Sequence, residues 1–202
     1  MENKKGFNLN KDAILNTLAT SLFIVGIVCI AYVLLSRVVR QRELMKVGNL
    51  DCVQKQLTKG IEDEHMAEII QPGRTVRIFE NFYKCNNVKR GDMVYFRFSQ
   101  QIEPVVRVIR AIPGDKYSLS EATDSKGMWQ ITINGKAIES KGQPYLIKSN
   151  SVPPLKTYEL SRGGVLAEDE YILLSSNPPG LSDSSNLGLA KRSDFIGKVI
   201  LE

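Results

Sequence analysis

An uncharged apolar run over residues 14–35, ILNTLATSLFIVGIVCIAYVLL, constrains this chain more than any other stretch. As a helix its 22 residues are long enough to cross a bilayer hydrocarbon core of roughly 30 Å. A spanning helix satisfies its own backbone, so Thr17, Thr20 and Ser21 are tolerable within it. The run is too long for a cleaved leader, and Ser36-Arg37-Val38-Val39-Arg40 offers no small-x-small cleavage site. An uncleaved signal anchor is therefore expected.

The rest of the 202 residues has room for one ordinary domain. The net charge of +5 is modest, and basic residues bracket the apolar run instead of clustering with aromatics. That pattern points to a lipid bilayer and away from nucleic acid. Orientation stays open. Lys4, Lys5 and Lys11 precede the run and Arg37, Arg40, Arg42 and Lys46 follow it, a count that slightly disfavours export of the following part. Of the three cysteines, Cys29 is in the run and Cys52 and Cys85 fall beyond it. On an oxidising side of the membrane those two are free to bridge, but spacing alone does not show that they meet. With a single histidine and no cysteines at ligand spacing, neither a metal nor another cofactor is expected.

Beyond the apolar run, residues 36–60 are charged and mixed, with Leu44, Val47, Leu50, Val53 and Leu57 at roughly helical spacing. They read as a juxtamembrane linker or helix. From Thr75 the period changes to two. Strands are expected at 75–79, 93–98, 104–112 and 195–201, and a short buried one at 171–174. Trp129 to Ile133, then Asn134-Gly135, then Lys136 to Ile138 form a hairpin with the pair that a type I′ turn demands. Residues 175–188 form a loop dense in Ser, Asn, Pro and Gly. The expectation is a polar tail at 1–13, an anchor at 14–35, the linker at 36–60 and a mainly β domain at 61–202. Residues 117–167 form a small inserted cap on that domain.

The order and spacing of several segments resemble the type I signal peptidases, including the conjugative-transfer peptidases. That family's first signature is Ser-Met-x-Pro-Thr-Leu/Ile-x-Pro-Gly, and His65-Met66-Ala67-Glu68-Ile69-Ile70-Gln71-Pro72-Gly73 fills the same frame. Arg90-Gly91-Asp92 before a β-branched strand matches the next. Val105 to Asp115, ending Pro113-Gly114-Asp115, matches the strand that carries the family's lysine. Asn134-Gly135 matches its hairpin. Ser175-Ser176-Asn177, then Leu181-Ser182-Asp183-Ser184 and Gly188, stand where it has Gly-Asp-Asn, Ser-x-Asp-Ser and a glycine. The resemblance implies a membrane-anchored serine endopeptidase fold with its soluble domain outside the cell membrane. It also implies a peptide groove formed by Met66, Ile70 and Asn177, and structural roles for Gly91, Asp92, Pro113, Gly114, Asp115, Asp183 and Gly188.

The reactive positions depart from that pattern. His65 stands at the nucleophile, Arg107 at the lysine, and Leu181 at the serine that would support the lysine. The family's chemistry needs a hydroxyl to attack the carbonyl and a neutral amine to take its proton. Lysine can lose its proton when desolvated, whereas arginine stays charged. Arg107 can instead anchor Asp115, Asp183 or a bound carboxylate. Two readings follow. One is an inactive homologue that binds preproteins or secretion and conjugation components. The other is an active peptidase in which Ser182 or Ser184 has become the nucleophile with His65 as its base. Against the second, Ser-rich loops usually bond their own turns. Asp92 and Asp115 are expected to cap turns, and Phe79, Phe82, Tyr83, Tyr95, Phe96 and Phe98 to be core or an apolar face on the bilayer.

Overall fold

The computed structural model describes residues 11–98, 103–178 and 181–202. The expected N-terminal tail lies outside them up to residue 10. Two compact units divide at Gly48/Asn49. The first contains one helix, α1 (Lys11–Val47). Its segment Ser21–Val39 is apolar and long enough to cross a membrane, and none of it is buried against protein. Leu22, Phe23 and Leu35 are exposed there, which suits lipid contact. The helix continues well past residue 35 because Arg, Gln, Glu, Leu, Met and Lys, all strong helix formers, fill the charged stretch. Gly48, at φ 133°, follows its end.

The second unit is mainly β. Its strands are β1 (Gln56–Ile61), β2 (Arg74–Glu80), β3 (Met93–Phe96), β4 (Val105–Ala111), β5 (Tyr117–Glu121) and β6 (Met128–Ile133). They continue with β7 (Lys136–Ala137), β8 (Glu139–Ser140), β9 (Gln143–Pro144), β10 (Leu146–Lys148), β11 (Ile172–Leu174) and β12 (Phe195–Leu201). The main sheet has the order β1-β2-β12-β3-β4-β11, and each neighbouring pair is antiparallel. Strand β1 falls in the stretch expected as linker. Lys59 and Gly60 leave it little alternation, so its strand form follows from pairing with β2, Gln56 opposite Phe79 and Ile61 opposite Arg74. The C-terminal β12 inserts between β2 and β3. A Cβ at Gly197 would collide with the Phe79 carbonyl, so close strand passage requires glycine there.

The six aromatics left open between core and bilayer face are all buried. Ile61, Met66, Ile70, Val76, Ile78 and Val106 belong to one core cluster of the sheet. The inserted region carries a second sheet of order β10-β6-β5 with β7 on β6. Asn134 and Gly135 have φ 52° and 76°, as the primed turn needs. Helix α2 (Pro153–Arg162) was not foreseen; prolines in its first turn and Gly163 at φ 67° just past its end are its start and stop signals. Tyr117, Leu119, Ile131, Ile147 and Leu155 form the second core. Cys52 and Cys85 are joined, with Cα atoms 5.7 Å apart.

Asp92 and Asp115 hold turns. Asp92 accepts from the Lys89 amide (3.1 Å), the Tyr83 phenol (3.2 Å) and the Lys198 ammonium (2.9 Å). Asp115 accepts from the Ile112 amide (2.9 Å), the Asn134 amide group (2.8 Å) and Arg90 at 2.5 and 2.7 Å. Burial pushes the Asp115 carboxyl up, but the bonds from Arg90, Ile112 and Asn134 outweigh it and hold it below its ordinary value. A carboxyl depressed on folding adds stability that is complete above its unfolded pKa of about 3.9 and vanishes as pH falls through the folded value. Urea unfolding followed from pH 6 downward is therefore expected to show a loss of stability in the acid range. Asp115→Asn should flatten that slope while lowering stability at neutral pH.

Candidate functional site

Strand β1 delivers the chain to Asp63, and a single 3-10 turn, Glu64–Met66, follows. Asp63 caps that turn, its Oδ1 accepting from the His65 amide at 2.9 Å. The turn directs Met66 and Ile70 inward, where they are 0% and 1% exposed, while Ile69 faces out. Both were expected to line a groove; they are core, because the short turn points them under the sheet. Gly73, at φ 81°, returns its amide to the Ile61 carbonyl at 2.8 Å and starts β2.

Arg107 comes from β4, opposite Val94 of β3. Its side chain is 1% exposed and that of Asp63 is 25% exposed. Nη1 lies 2.5 Å from Asp63 Oδ2 and also donates to the Val106 carbonyl at 2.5 Å. Nη2 donates to the Leu181 carbonyl at 2.5 Å. Nε is buried without a partner among the described residues. Of the carboxylates suggested for Arg107, Asp115 is held by Arg90 and Asp183 is occupied elsewhere. The sequence reading missed Asp63. The available signal was an acid two residues before the nucleophile position, opposite in charge to the residue that replaces the lysine.

Ser176 and Asn177 close over the turn. The Ser176 and Asn177 amides donate to the His65 carbonyl at 2.9 and 3.0 Å. The Ser176 hydroxyl reaches the same oxygen at 3.2 Å, and the Asn177 side chain donates to the Glu64 carbonyl at 3.1 Å. Asn177 thus clamps backbone here. Asp183 caps helix α3 (Ser184–Leu187) and accepts from the Ser175 amide, the Ser185 amide and the Ser185 hydroxyl at 3.0, 2.9 and 2.6 Å. Gly188, at φ 87°, follows that helix. Glu68 bonds Ser140, which also donates to the Ser176 carbonyl at 2.7 Å. Tyr145 meets the Ser175 hydroxyl at 2.7 Å, and that hydroxyl donates a hydrogen bond to the Asn177 carbonyl at 2.8 Å.

The candidate nucleophiles separate cleanly. Ser184 is fully buried and accepts from the Leu173 amide at 2.9 Å. Ser182 sits in a left-handed backbone at φ 54° with no hydroxyl partner among the described residues. Among those residues no hydrogen bond joins the half-buried His65 imidazole to either serine. Beside the His65 turn, Asp63 and Arg107 thus form an anchored carboxylate–guanidinium pair.

The comparisons with known proteins bear on this geometry. The family model described as signal peptidase, peptidase S26, matches residues 57–202. The chain belongs to the signal peptidase family. Signal peptidase IB of Staphylococcus aureus strains N315 and MW2 is 24% identical over 147 residues, covering 69% of this chain and 73% of the relative. The solved signal peptidase I of Enterococcus faecalis V583 is similar over 57% of this chain and 98% of its own, at 20% identity and a TM-score of 0.40. In this signal peptidase homologue the mainly β fold and the anchor-like helix accord with the family.

Proposed function

We propose that this signal peptidase homologue is a membrane-anchored protein that binds polypeptides and does not hydrolyse them. One observation carries the reading: the Arg107 guanidinium, which the motif spacing sets at the family's general base, is buried and paired with Asp63. A guanidinium cannot accept a proton at neutral pH, and its charge is further held by the carboxylate. His65 offers an imidazole in place of a hydroxyl, and its backbone carbonyl is clamped by the Ser176 and Asn177 amides. Ser184, buried and hydrogen-bonded, is a poor nucleophile in this setting. Ser182 is the remaining candidate for hydrolysis. The relatives named signal peptidases suggest a preprotein or a secretion or conjugation component as the bound chain. The Cys52–Cys85 bond supports an extracytoplasmic domain, against the charge count around the helix.

Incubating the full chain in detergent with signal-peptide substrates tests this. Crosslinking to the substrate without cleavage is the expected result. Cleavage that disappears in Ser182→Ala would establish the relocated-nucleophile reading instead. The double change His65→Ser with Arg107→Lys is expected to stay inactive, because Asp63 would keep the introduced ammonium protonated. Adding Asp63→Leu removes that obstacle and is where hydrolysis, measured by mass spectrometry of the substrate, should first be seen.

A further inference from the structure

A second feature lies apart from the His65–Arg107 site. A pocket of about 630 Å³ opens between the Arg90-Gly91 turn, β4 and the β6–β7 hairpin. Three cations line it, Arg90, Arg110 and Lys136, against a single carboxylate, Glu139, which pairs with none of them. The edges of Ile133 and Ile138 form a small apolar wall between the charges.

The cations are available. Arg90 is fixed through Nη2 alone by Asp115, which leaves its Nε and Nη1 unengaged among the described residues. Asn134, on the pocket wall, bonds the same carboxylate and fixes the geometry further. Arg110 is half-buried, and its Nε is buried without a partner among the described residues. No hydrogen bond to any of its donors occurs among the described residues. Burial depresses its pKa, opposed by Tyr145 and Glu68 nearby, so its charge lies in a poorly solvated place without a bonded counterion. Lys136 is exposed at the hairpin tip and has no ion-pair partner among those residues.

We infer that this pocket is a binding site for an acidic polypeptide segment, seating a carboxylate among Arg90, Arg110 and Lys136 and a neighbouring apolar side chain on the edges of Ile133 and Ile138. The chemistry fits a carboxylate because a guanidinium presents paired donors to its two oxygens. The volume exceeds what one small ion fills, and the isoleucine wall calls for apolar neighbours of the charge. The inference stands independently of whether the chain hydrolyses peptides.

The test uses the full chain in zwitterionic detergent and a capped fluorescent peptide of alternating leucine and glutamate. Its leucine–glutamine analogue is the control. Fluorescence anisotropy should give at least about tenfold tighter binding of the acidic peptide, the effect of one or more charge-assisted bonds. That preference should weaken with salt and be reduced in both Arg110→Gln and Lys136→Gln. Lys136 is exposed, so its variant decides the matter even where Arg110→Gln fails to fold. Equal affinity for the two peptides, or a preference unchanged in Lys136→Gln, overturns the assignment.

Discussion

Asp63→Ala is expected to lower the stability of the β unit by about 3–5 kcal/mol, the range for removing one partner of a buried ion pair. Two losses combine. The Arg107 guanidinium, 1% exposed, keeps the Val106 and Leu181 carbonyls but loses its only carboxylate among the described residues. The turn at Glu64–Met66 loses the cap on the His65 amide, worth about 1 kcal/mol. Asp63→Asn keeps acceptor oxygens and so should cost less than alanine. Asp63→Leu with Arg107→Met removes both charges and should recover most of the loss, since apolar replacement of a whole buried pair is often neutral or better. Urea unfolding followed through Trp129 fluorescence measures all three. A loss below about 1 kcal/mol for Asp63→Ala, the scale of an exposed pair, would show that the pair does not hold the site together.

That pair explains which parts of the site were legible from sequence. The scaffold residues announce themselves through backbone demands. Gly91, Gly114 and Gly188 all have φ near 87°, and Asp92, Asp115 and Asp183 each cap a neighbouring backbone amide. Such local requirements survive in a linear reading. Strands β2, β3, β4 and β12 were readable for a similar reason, because their β-branched and aromatic residues are buried on a sheet. Strand β1 was not, because its form depends on a partner at Arg74–Glu80. The partner of Arg107 was equally hidden. Asp63 and Arg107 are 44 positions apart, and although aspartate is the best cap among these neighbouring acids, nothing local names Arg107 as its partner. Met66 and Ile70 are core and line no groove, since an apolar residue beside a candidate site reads the same in sequence whether it lines a groove or supports it from below.

Removing the Cys52–Cys85 bond is the other change expected to weigh heavily. The two residues are 33 positions apart, and closing a loop of that length in the unfolded chain corresponds to about 3–4 kcal/mol of stabilisation in the chain-entropy account. The bond ties the segment entering the β unit to the turn after β2. Noncovalent contacts hold the same join. Asn49 and Asn86 exchange bonds of 2.9 and 2.6 Å, and the Arg192 guanidinium donates to the Asn86 carbonyl at 3.0 Å and to the Tyr83 carbonyl. Cys52→Ala with Cys85→Ala should therefore leave the fold intact but lower its urea midpoint, and reduction of the parent protein should reproduce the shift. The same pair tests the proposed sidedness. Alkylating free thiols in intact cells before lysis, then weighing the protein, should find Cys52 and Cys85 unmodified and Cys29 the sole thiol available on denaturation. Two further alkylated thiols would place the β unit in a reducing compartment and remove the support that the bond gives to an extracytoplasmic domain.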